Sequence, residues 1–209
     1  DVSGVINLKS GLVFSKNLTI AGQTAPGSGI VIYGKRVSFS GASDIIVRYL
    51  RIRMGKSGES GRDAAGISNG SNMIFDHCSV SWGKDETFSI NSDGKNGGVG
   101  NITIQKTIMS QGLLPHSAGG LCQPTNTVGG VTLYRNLYAD NNTRNHKVKG
   151  LNQYINNVVY NWGSGGGYNL GGDSEGRIWA DVQANYFIQG PNSGGNGVGS
   201  GNQLTTVYQ

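Results

Sequence analysis

The sequence predicts an all-β protein, a single right-handed parallel β-helix domain spanning residues 1–209, and three observations support this. Glycine is frequent at 36 residues, proline is rare at 4 residues, and only 14% of the residues are charged. This composition suits short strands joined by tight turns. No segment has the apolar spacing of an amphipathic helix. A strand-like segment also recurs along the chain with the period of a solenoid.

The recurring segment predicts one coil of the solenoid per repeat. Six short segments rich in β-branched residues superimpose, with starts at Asp44, Asn72, Asn101, Gly130, Leu151 and Trp179. A coil of this size cannot bury its own apolar face, but a stack of coils can. The seventh positions of the last three segments are Asn136, Asn157 and Asn185. We interpret them as a structural ladder, because stacked amides satisfy buried polar groups at a bend.

Other parts of the chain fit the same architecture. Residues 17–22, 29–34 and 37–41 read as further short strands. The glycine-rich stretches 163–176 and 193–201 read as loops. We find no linker, and we expect that coils at the ends of the domain are missing from these 209 residues.

A second set of strands carries acidic residues. Asp63–Asn69 and Asp85–Asn91 share the frame Asp, five residues, Asn, and Ser117–Gln123 and His146–Asn152 have the same length. If these frames are in register, Asp63 and Asp85 lie on neighbouring rungs about 4.8 Å apart. Two such carboxylates repel each other unless a cation lies between them. The alternative is that these acids are hydrated turn residues.

Ca²⁺ is the cation that this pattern favours, because it takes several oxygen ligands and tolerates irregular geometry. We predict Asp63, Asp85 and Glu86 as its ligands, with Ser89 nearby.

The charge of the chain and its targeting features limit the classes of partner that it is expected to bind. The formal net charge of +5 favours an acidic partner, which is nucleic acid, anionic lipid or acidic polysaccharide. No apolar stretch approaches the ~20 residues needed to cross a membrane. The chain begins with Asp1 and shows no signal peptide, so we expect a processed form or a trimmed chain. Cys78 and Cys122 are expected to be buried free thiols.

Two groups of basic residues stand out in a chain with so few charges. Arg144, His146, Lys147 and Lys149 fall within six residues, which indicates an anion site or, alternatively, a solvated basic turn. A second possible group occupies the sixth position of successive repeats and consists of His77, Lys106 and Arg135. We interpret this basic column as solvent-facing or hydrogen-bonded structure.

Several motifs, in order over roughly residues 17–162, resemble polysaccharide lyase family 1, the pectate lyases. They are Ala21–Gly27, Arg48–Arg53, Asp63–Ala65, Phe75–Cys78, Val131–Tyr138, Thr143–Gly150 and Asn156–Tyr160. The resemblance implies a calcium-dependent pectate lyase that cleaves polygalacturonate by β-elimination. It also implies a secreted, extracellular protein, and we expect a monomer that binds neither nucleic acid nor membrane.

The same resemblance assigns roles to individual residues. Arg144 matches the family's base, which removes the proton at C5 of a galacturonate, and we expect a high pH optimum because a guanidinium holds its proton near neutrality. Lys147 and Lys149 stand where the family has substrate-binding arginines. Asp63 and Asp85 match calcium ligands. Ser89 replaces a further acidic ligand of the family, for which Glu86 compensates.

One family feature is absent, and three alternatives remain. The family's substrate-binding lysine has no counterpart before Leu121, and His116 lies upstream as a substitute substrate-binding residue. A noncatalytic polysaccharide-binding β-helix of the adhesin or tailspike type remains an alternative, as does a pectin lyase. A polygalacturonase is disfavoured because the sequence has no Asp-Asp pair to act as acid and base, and a pectin methylesterase is the least favoured hydrolase.

Overall fold

The computed structural model describes residues 2–94, 97–125, 128–171 and 178–199, together with the backbone of Thr205–Tyr208. The described residues form strands β1–β24, numbered in chain order, and one short 3-10 helix, Gly22–Thr24. The strands lie in three parallel sheets of eight, and each coil contributes one strand to each sheet. The predicted all-β parallel β-helix is therefore confirmed.

The sheets are named A, B and C in the order in which each coil visits them. Sheet A contains β1 (Gly4–Asn7), β4 (Ile30–Tyr33), β7 (Leu50–Arg53), β10 (Ser79–Ser81), β13 (Ile108–Ser110), β16 (Leu137–Ala139), β19 (Val158–Tyr160) and β22 (Tyr186–Ile188). Sheet B contains β2 (Leu12–Val13), β5 (Val37–Ser38), β8 (Ala65–Ile67), β11 (Phe88–Asn91), β14 (Ala118–Gln123), β17 (Thr143–Val148), β20 (Tyr168–Leu170) and β23 (Val198–Gly199). Sheet C contains β3 (Leu18–Ala21), β6 (Ala42–Arg48), β9 (Gly70–Asp76), β12 (Val99–Gln105), β15 (Val131–Tyr134), β18 (Gly150–Ile155), β21 (Ile178–Gln183) and β24 (Thr205–Tyr208).

The predicted repeat is sheet C, and its register is the one expected from the sequence. The second positions of the six predicted segments align on successive rungs as Ile45, Met73, Ile102, Val131, Asn152 and Ala180. In the glycine-rich stretches, however, the prediction of loops is wrong at two places. Each stretch contains a short strand of sheet B, β20 and β23, while residues 172–176 and 200–201 lie outside the described part.

Alternate side chains along the strands face inward and fill the interior, because successive residues of a strand point to opposite faces of the sheet. Two aromatic stacks run along it: Phe14, Phe39, Phe75 and Phe88 in one, and Tyr138, Tyr154 and Tyr168 in the other. Each fully buried side chain of this size contributes roughly 1.5–3 kcal/mol. Cys78 and Cys122 are buried and free, as predicted, and burial raises the pKa of Cys78 to about 11.

The asparagine ladder is also confirmed. It lies at the turn from sheet C to sheet A, which we call the C–A corner. The N–H of Asn136 donates to Asn157 Oδ1 at 2.9 Å, and the N–H of Asn157 donates to Asn185 Oδ1 at 2.8 Å. Asn157 Nδ2 donates to the carbonyl of Leu133 at 2.9 Å. These amides replace backbone partners that the bend removes, so their role is structural.

The three sheets run through all the described coils. That residues 1–209 form one domain with missing end coils remains a prediction. In the described part of the chain, no helix is both long enough and apolar enough to span a membrane.

Candidate active site

The acidic residues predicted as calcium ligands lie at the turn from sheet A to sheet B, which we call the A–B corner. The register of β8 and β11 pairs Ala65 with Phe88, and two residues earlier it places Asp63 opposite Glu86. The predicted pairing of Asp63 with Asp85 is therefore wrong by one residue.

A tight turn between β10 and β11 explains this shift. The N–H groups of Lys84 and Asp85 both donate to the carbonyl of Arg62, each at 3.1 Å. Two residues thus face one on the neighbouring coil, which moves the rest of the strand along by one position. Gly83 makes the turn possible, because a Cβ there would collide with the carbonyl of Glu86.

Asp63 and Glu86 form the inner part of the acidic cluster. Asp63 Oδ1 accepts a hydrogen bond from the N–H of Glu86 at 3.3 Å, and the Glu86 side chain is buried. Burial, followed by the negative charge of Glu86, raises the pKa of Asp63 to about 7, and Asp85 adds to the shift. The cluster therefore binds either a proton or another positive charge near neutral pH.

His116 and Asp85 form the outer part. His116 Nε2 lies 3.2 Å from Asp85 Oδ1 and 4.0 Å from Glu86 Oε1. One ligand atom of each residue lies within 4.8 Å of the other two. His116, predicted to bind substrate, is therefore placed against the predicted metal ligands.

Arg144 joins the cluster from the start of β17. Its Nη1 donates to Glu86 Oε1 in a half-buried ion pair. Its backbone is in the left-handed region, with φ +55°, and its N–H donates to Asn169 Oδ1 at 2.9 Å. Gly119 on the preceding coil permits this approach, since a Cβ there would lie 2.5 Å from the carbonyl of Arg144. The backbone of Arg144 is thus held by both neighbouring coils, and its guanidinium reaches Glu86 two coils away.

His146 does not belong to the basic cluster that the sequence predicts. A register shift between Gly120 and Leu121 against β17 turns its side chain inward, where it is fully buried. Its Nε2 donates to the carbonyl of Phe88 at 2.9 Å, so its Nδ1 accepts from the Tyr138 hydroxyl at 3.1 Å. Burial lowers the pKa of His146 to about 4, so the imidazole is neutral. The predicted frame from His146 to residue 152 is also wrong, because β17 ends at Val148.

Lys147 and Lys149 lie further along the same chain segment. Lys147 pairs with Leu121 on one side and with Asn169 on the other, on the outer face of sheet B, and it is mostly buried. Lys149 follows the end of β17 and is half-buried, and its N–H donates to the carbonyl of Cys122 at 2.9 Å. The predicted basic cluster is therefore spread along the outer face of one strand and the turn after it.

A cavity of about 270 Å³ opens beside the acids. Its walls include the predicted residues Asp63, Asp85, Glu86 and Ser89 and also Arg36, Arg62 and Leu121. Neither arginine was predicted from the sequence. Arg62 directly precedes Asp63, so its position carried a usable signal, whereas Arg36 belongs to no motif that we recognised.

Curated proteins of three fungi align with nearly all of this chain. A protein of Neosartorya fischeri is 60% identical over 192 residues, which cover 92% of this chain and 44% of that protein. A protein of Aspergillus flavus is 59% identical over 207 residues, covering 99% and 47%, and one of Emericella nidulans is 57% identical over 202 residues, covering 97% and 45%. All three carry the name "Probable pectate lyase C".

The chain is thus similar, at 57–60% identity, to proteins named as probable pectate lyases. It spans less than half the length of these curated relatives. A comparison with models of known protein families gives no match.

The structure brings five of the seven predicted site residues together in one group at the A–B corner. These five are Asp63, Asp85, Glu86, His116 and Arg144. The group combines carboxylate oxygens, an imidazole and a guanidinium beside an open cavity. Such a set can bind a hard cation, orient an anionic ligand and exchange a proton.

Proposed function

We propose that this chain forms the catalytic core of a calcium-dependent pectate lyase, which cleaves polygalacturonate by β-elimination. The observation that carries the proposal is the contact of Arg144 with the carboxylate cluster at the A–B corner. Homology to proteins named as pectate lyases supports the same reaction. A polymeric substrate of this kind lies outside the cell, so we expect a secreted, extracellular protein, and we expect it to act as a monomer.

The residues of the cluster fit Ca²⁺ by their chemistry. Asp63, Asp85 and Glu86 offer carboxylate oxygens, the donors that Ca²⁺ prefers, and Ser89 on the cavity wall offers a hydroxyl oxygen. The raised pKa of Asp63 indicates that the acids are crowded and short of positive charge. We therefore propose Asp63, Asp85 and Glu86 as the calcium ligands. Bound there, Ca²⁺ would supply positive charge that neutralises both the uronate carboxylate and the carboxylate of Glu86.

Arg144 is proposed to remove the proton at C5 of a galacturonate unit. In the structure its guanidinium is paired with Glu86. To act as the base, Arg144 must leave this ion pair and give up one guanidinium proton to solvent, after which the freed nitrogen accepts the C5 proton. The electron pair of the C5–H bond then forms the C4=C5 double bond while the C4–O bond breaks. The departing oxygen takes up a proton and becomes the hydroxyl of the new chain end.

Three other residues are proposed to position the substrate. Lys147 and Lys149 lie on the same segment as Arg144 and would pair with uronate carboxylates on neighbouring sugar units. His116, exposed at the outer edge of the cluster, is placed to donate to a substrate oxygen or carboxylate. Because Lys147 is mostly buried, we expect it to act through its terminal amino group alone.

The test is the ultraviolet absorbance of the 4,5-unsaturated product during incubation with polygalacturonate. We expect the absorbance to rise with Ca²⁺ and to stop when a chelator is added. Reducing ends without new absorbance would instead indicate a hydrolase and would contradict the proposal. Binding without any cleavage would favour a noncatalytic polysaccharide-binding β-helix, and cleavage of esterified pectin that is indifferent to the chelator would favour a pectin lyase.

A further inference from the structure

The C–A corner presents a column of ring-bearing and cationic side chains. Tyr49, His77, Lys106 and Arg135 directly follow residues that align on successive rungs of sheet C. The N–H of each donates to a carbonyl of the next coil at 3.0–3.2 Å. All four have positive φ, from +48° to +54°, which turns their side chains outward at the same point of each coil. With neighbouring rungs about 4.8 Å apart, the column is about 14 Å long.

The lower part of this column is fixed by a buried acid. Asp76 is buried and accepts from Arg48 Nε at 3.0 Å and from Gln105 Nε2 at 2.9 Å. His77 Nδ1 lies 2.8 Å from the same carboxylate. The imidazole of His77 also stacks on the ring of Tyr49, with centroids 4.8 Å apart and planes 6° apart. These contacts hold the side chains in place before any ligand arrives, which lowers the entropic cost of binding.

In the described part of the chain, positive charge without an acidic partner lies in the upper part of the column, at Lys106 and Arg135, and beside its lower part, at Arg51 on β7. Among the described residues, Arg51, Lys106 and Arg135 make no ion pair with a carboxylate. Lys106 and Arg135 are exposed, and Arg51 is half-buried. Burial lowers the pKa of Arg53, two residues after Arg51 on β7, and the charge of Arg51 lowers it further.

A groove runs along this column. Its volume is about 430 Å³, and its walls include the turn of residues 22–29, the rings of Tyr49 and His77, and the side chains of Arg51 and Lys106. It lies at the C–A corner, whereas the proposed catalytic group lies at the A–B corner. The groove is therefore a separate site, open to solvent, and Arg135 carries a further positive charge one rung beyond Lys106.

We propose that this groove, together with Arg135 on the rung beyond it, is a second binding site for an acidic polysaccharide, whose carboxylates contact Arg51, Lys106 and Arg135 while the rings of Tyr49 and His77 form the wall. Lys106 and Arg135 carry charge on successive rungs, and this spacing suits a polymer with one carboxylate per sugar unit better than a single small anion. The identity of the polymer as polygalacturonate rests on the proposed function. Such a site would keep the protein on the polymer while the A–B corner engages the same or a neighbouring chain.

The test measures polygalacturonate binding by affinity electrophoresis in the presence of a chelator, so that any calcium-dependent binding at the A–B corner is absent. The variant is Lys106→Asn combined with Arg135→Asn. Asn is chosen because Asn156 occupies the same position on the next rung with φ +55°, so the turn conformation is kept. Lys9→Asn combined with Lys16→Asn is the matched control, because it removes the same number of charges at two exposed lysines outside the groove.

Loss of two exposed ionic contacts is expected to weaken binding about tenfold, while the Lys9→Asn and Lys16→Asn double variant stays within twofold of the wild type. Weakening of the same size in the control would show that only net charge matters and would overturn the proposal. So would wild-type protein that does not bind in chelator, that binds esterified pectin equally well, or that prefers single-stranded DNA. Because this assay involves no cleavage, its result is independent of whether the ultraviolet assay finds lyase activity.

Discussion

The turns at the C–A corner are more uniform in length than those at the A–B corner. This difference matches the structural and catalytic roles proposed for the two corners. At the C–A corner the turns from sheet C to sheet A are nearly uniform after the first coil. One residue separates β6 from β7, and two residues separate β9 from β10, β12 from β13, β15 from β16, β18 from β19 and β21 from β22. At the A–B corner the turns vary from eleven residues between β7 and β8 to three between β16 and β17.

This difference shows where a coil can carry functional residues while its strands stay paired with those of the neighbouring coils. The uniform corner is locked from inside by the asparagine ladder and has an outward column of one side chain per coil. The variable corner brings together residues from four coils, including Asp63, Glu86, His116 and Arg144. We therefore expect substitutions at the A–B corner to affect activity first, and substitutions inside the C–A corner to affect stability first.

The largest expected effect is that of Arg144→Ala on the proposed reaction. Loss of the base lowers turnover on polygalacturonate by about 10³-fold, within the range for general-base removal. The rate is measured by product absorbance, with the melting temperature as a check of folding. Lys56→Ala, exposed in the long turn of the same corner and outside the cavity wall, is the control. If Arg144→Ala retained more than a tenth of the wild-type turnover, Arg144 would not be the base.

The next effect concerns stability at the uniform corner. Asn157→Ala removes hydrogen bonds to Leu133 and Asn185 and leaves the buried N–H of Asn136 without a partner. We expect a cost of about 3 kcal/mol in the free energy of unfolding, measured with urea. Asn156→Ala is the matched control, because this neighbour is exposed and Ala184 occupies the same position on the next rung. Equal losses in both variants would remove the structural role assigned to the ladder.

We expect the buried His146 to make the free energy of unfolding depend on pH. Its pKa falls from 6.5 in the unfolded chain to about 4 in the folded protein, so the unfolded chain binds the extra proton between these values. The stability that this pKa difference contributes is complete above pH 6.5 and is lost as the pH falls to about 4. It amounts to about 3 kcal/mol. His146→Gln should flatten this part of the curve in urea unfolding, and an unchanged slope would contradict a buried neutral imidazole.

Calcium binding at the A–B corner should stabilise the folded protein without involving the C–A corner. At a Ca²⁺ concentration about 100 times its dissociation constant, binding adds about 2.7 kcal/mol and raises the melting temperature. Asp85→Asn should remove this increase, whereas Asp44→Asn, an exposed acid on sheet C, should keep it. An increase that survives in Asp85→Asn would place the cation elsewhere.

The uniform corner was also the part that could be predicted from the sequence. The period of sheet C fixed which residues align, and the ladder followed because Asn136 and Asn157 hold the same place in consecutive repeats. The acidic residues were found as a group, but their pairing was not. The pairing was wrong by one residue because the N–H groups of Lys84 and Asp85 donate to the same carbonyl on the neighbouring coil. This contact between coils is not visible in the sequence repeat.

Contacts between distant segments account for the other misses. The ion pair of Arg144 with Glu86 joins residues 58 positions apart, and no local pattern relates them. His146 turned inward because of a register shift against β14, which depends on the fit of two neighbouring coils. Residue types at the site were thus predictable from motifs, whereas their partners depended on how irregular turns pack.

The most direct test is a crystal structure of the protein carrying Arg144→Ala, soaked with Ca²⁺ and a short oligogalacturonate. The account predicts a cation coordinated by oxygens of Asp63, Asp85 and Glu86, with a uronate carboxylate beside it and its C5 facing residue 144. A cation bound away from these three carboxylates, with the sugar found only in the C–A groove, would contradict it.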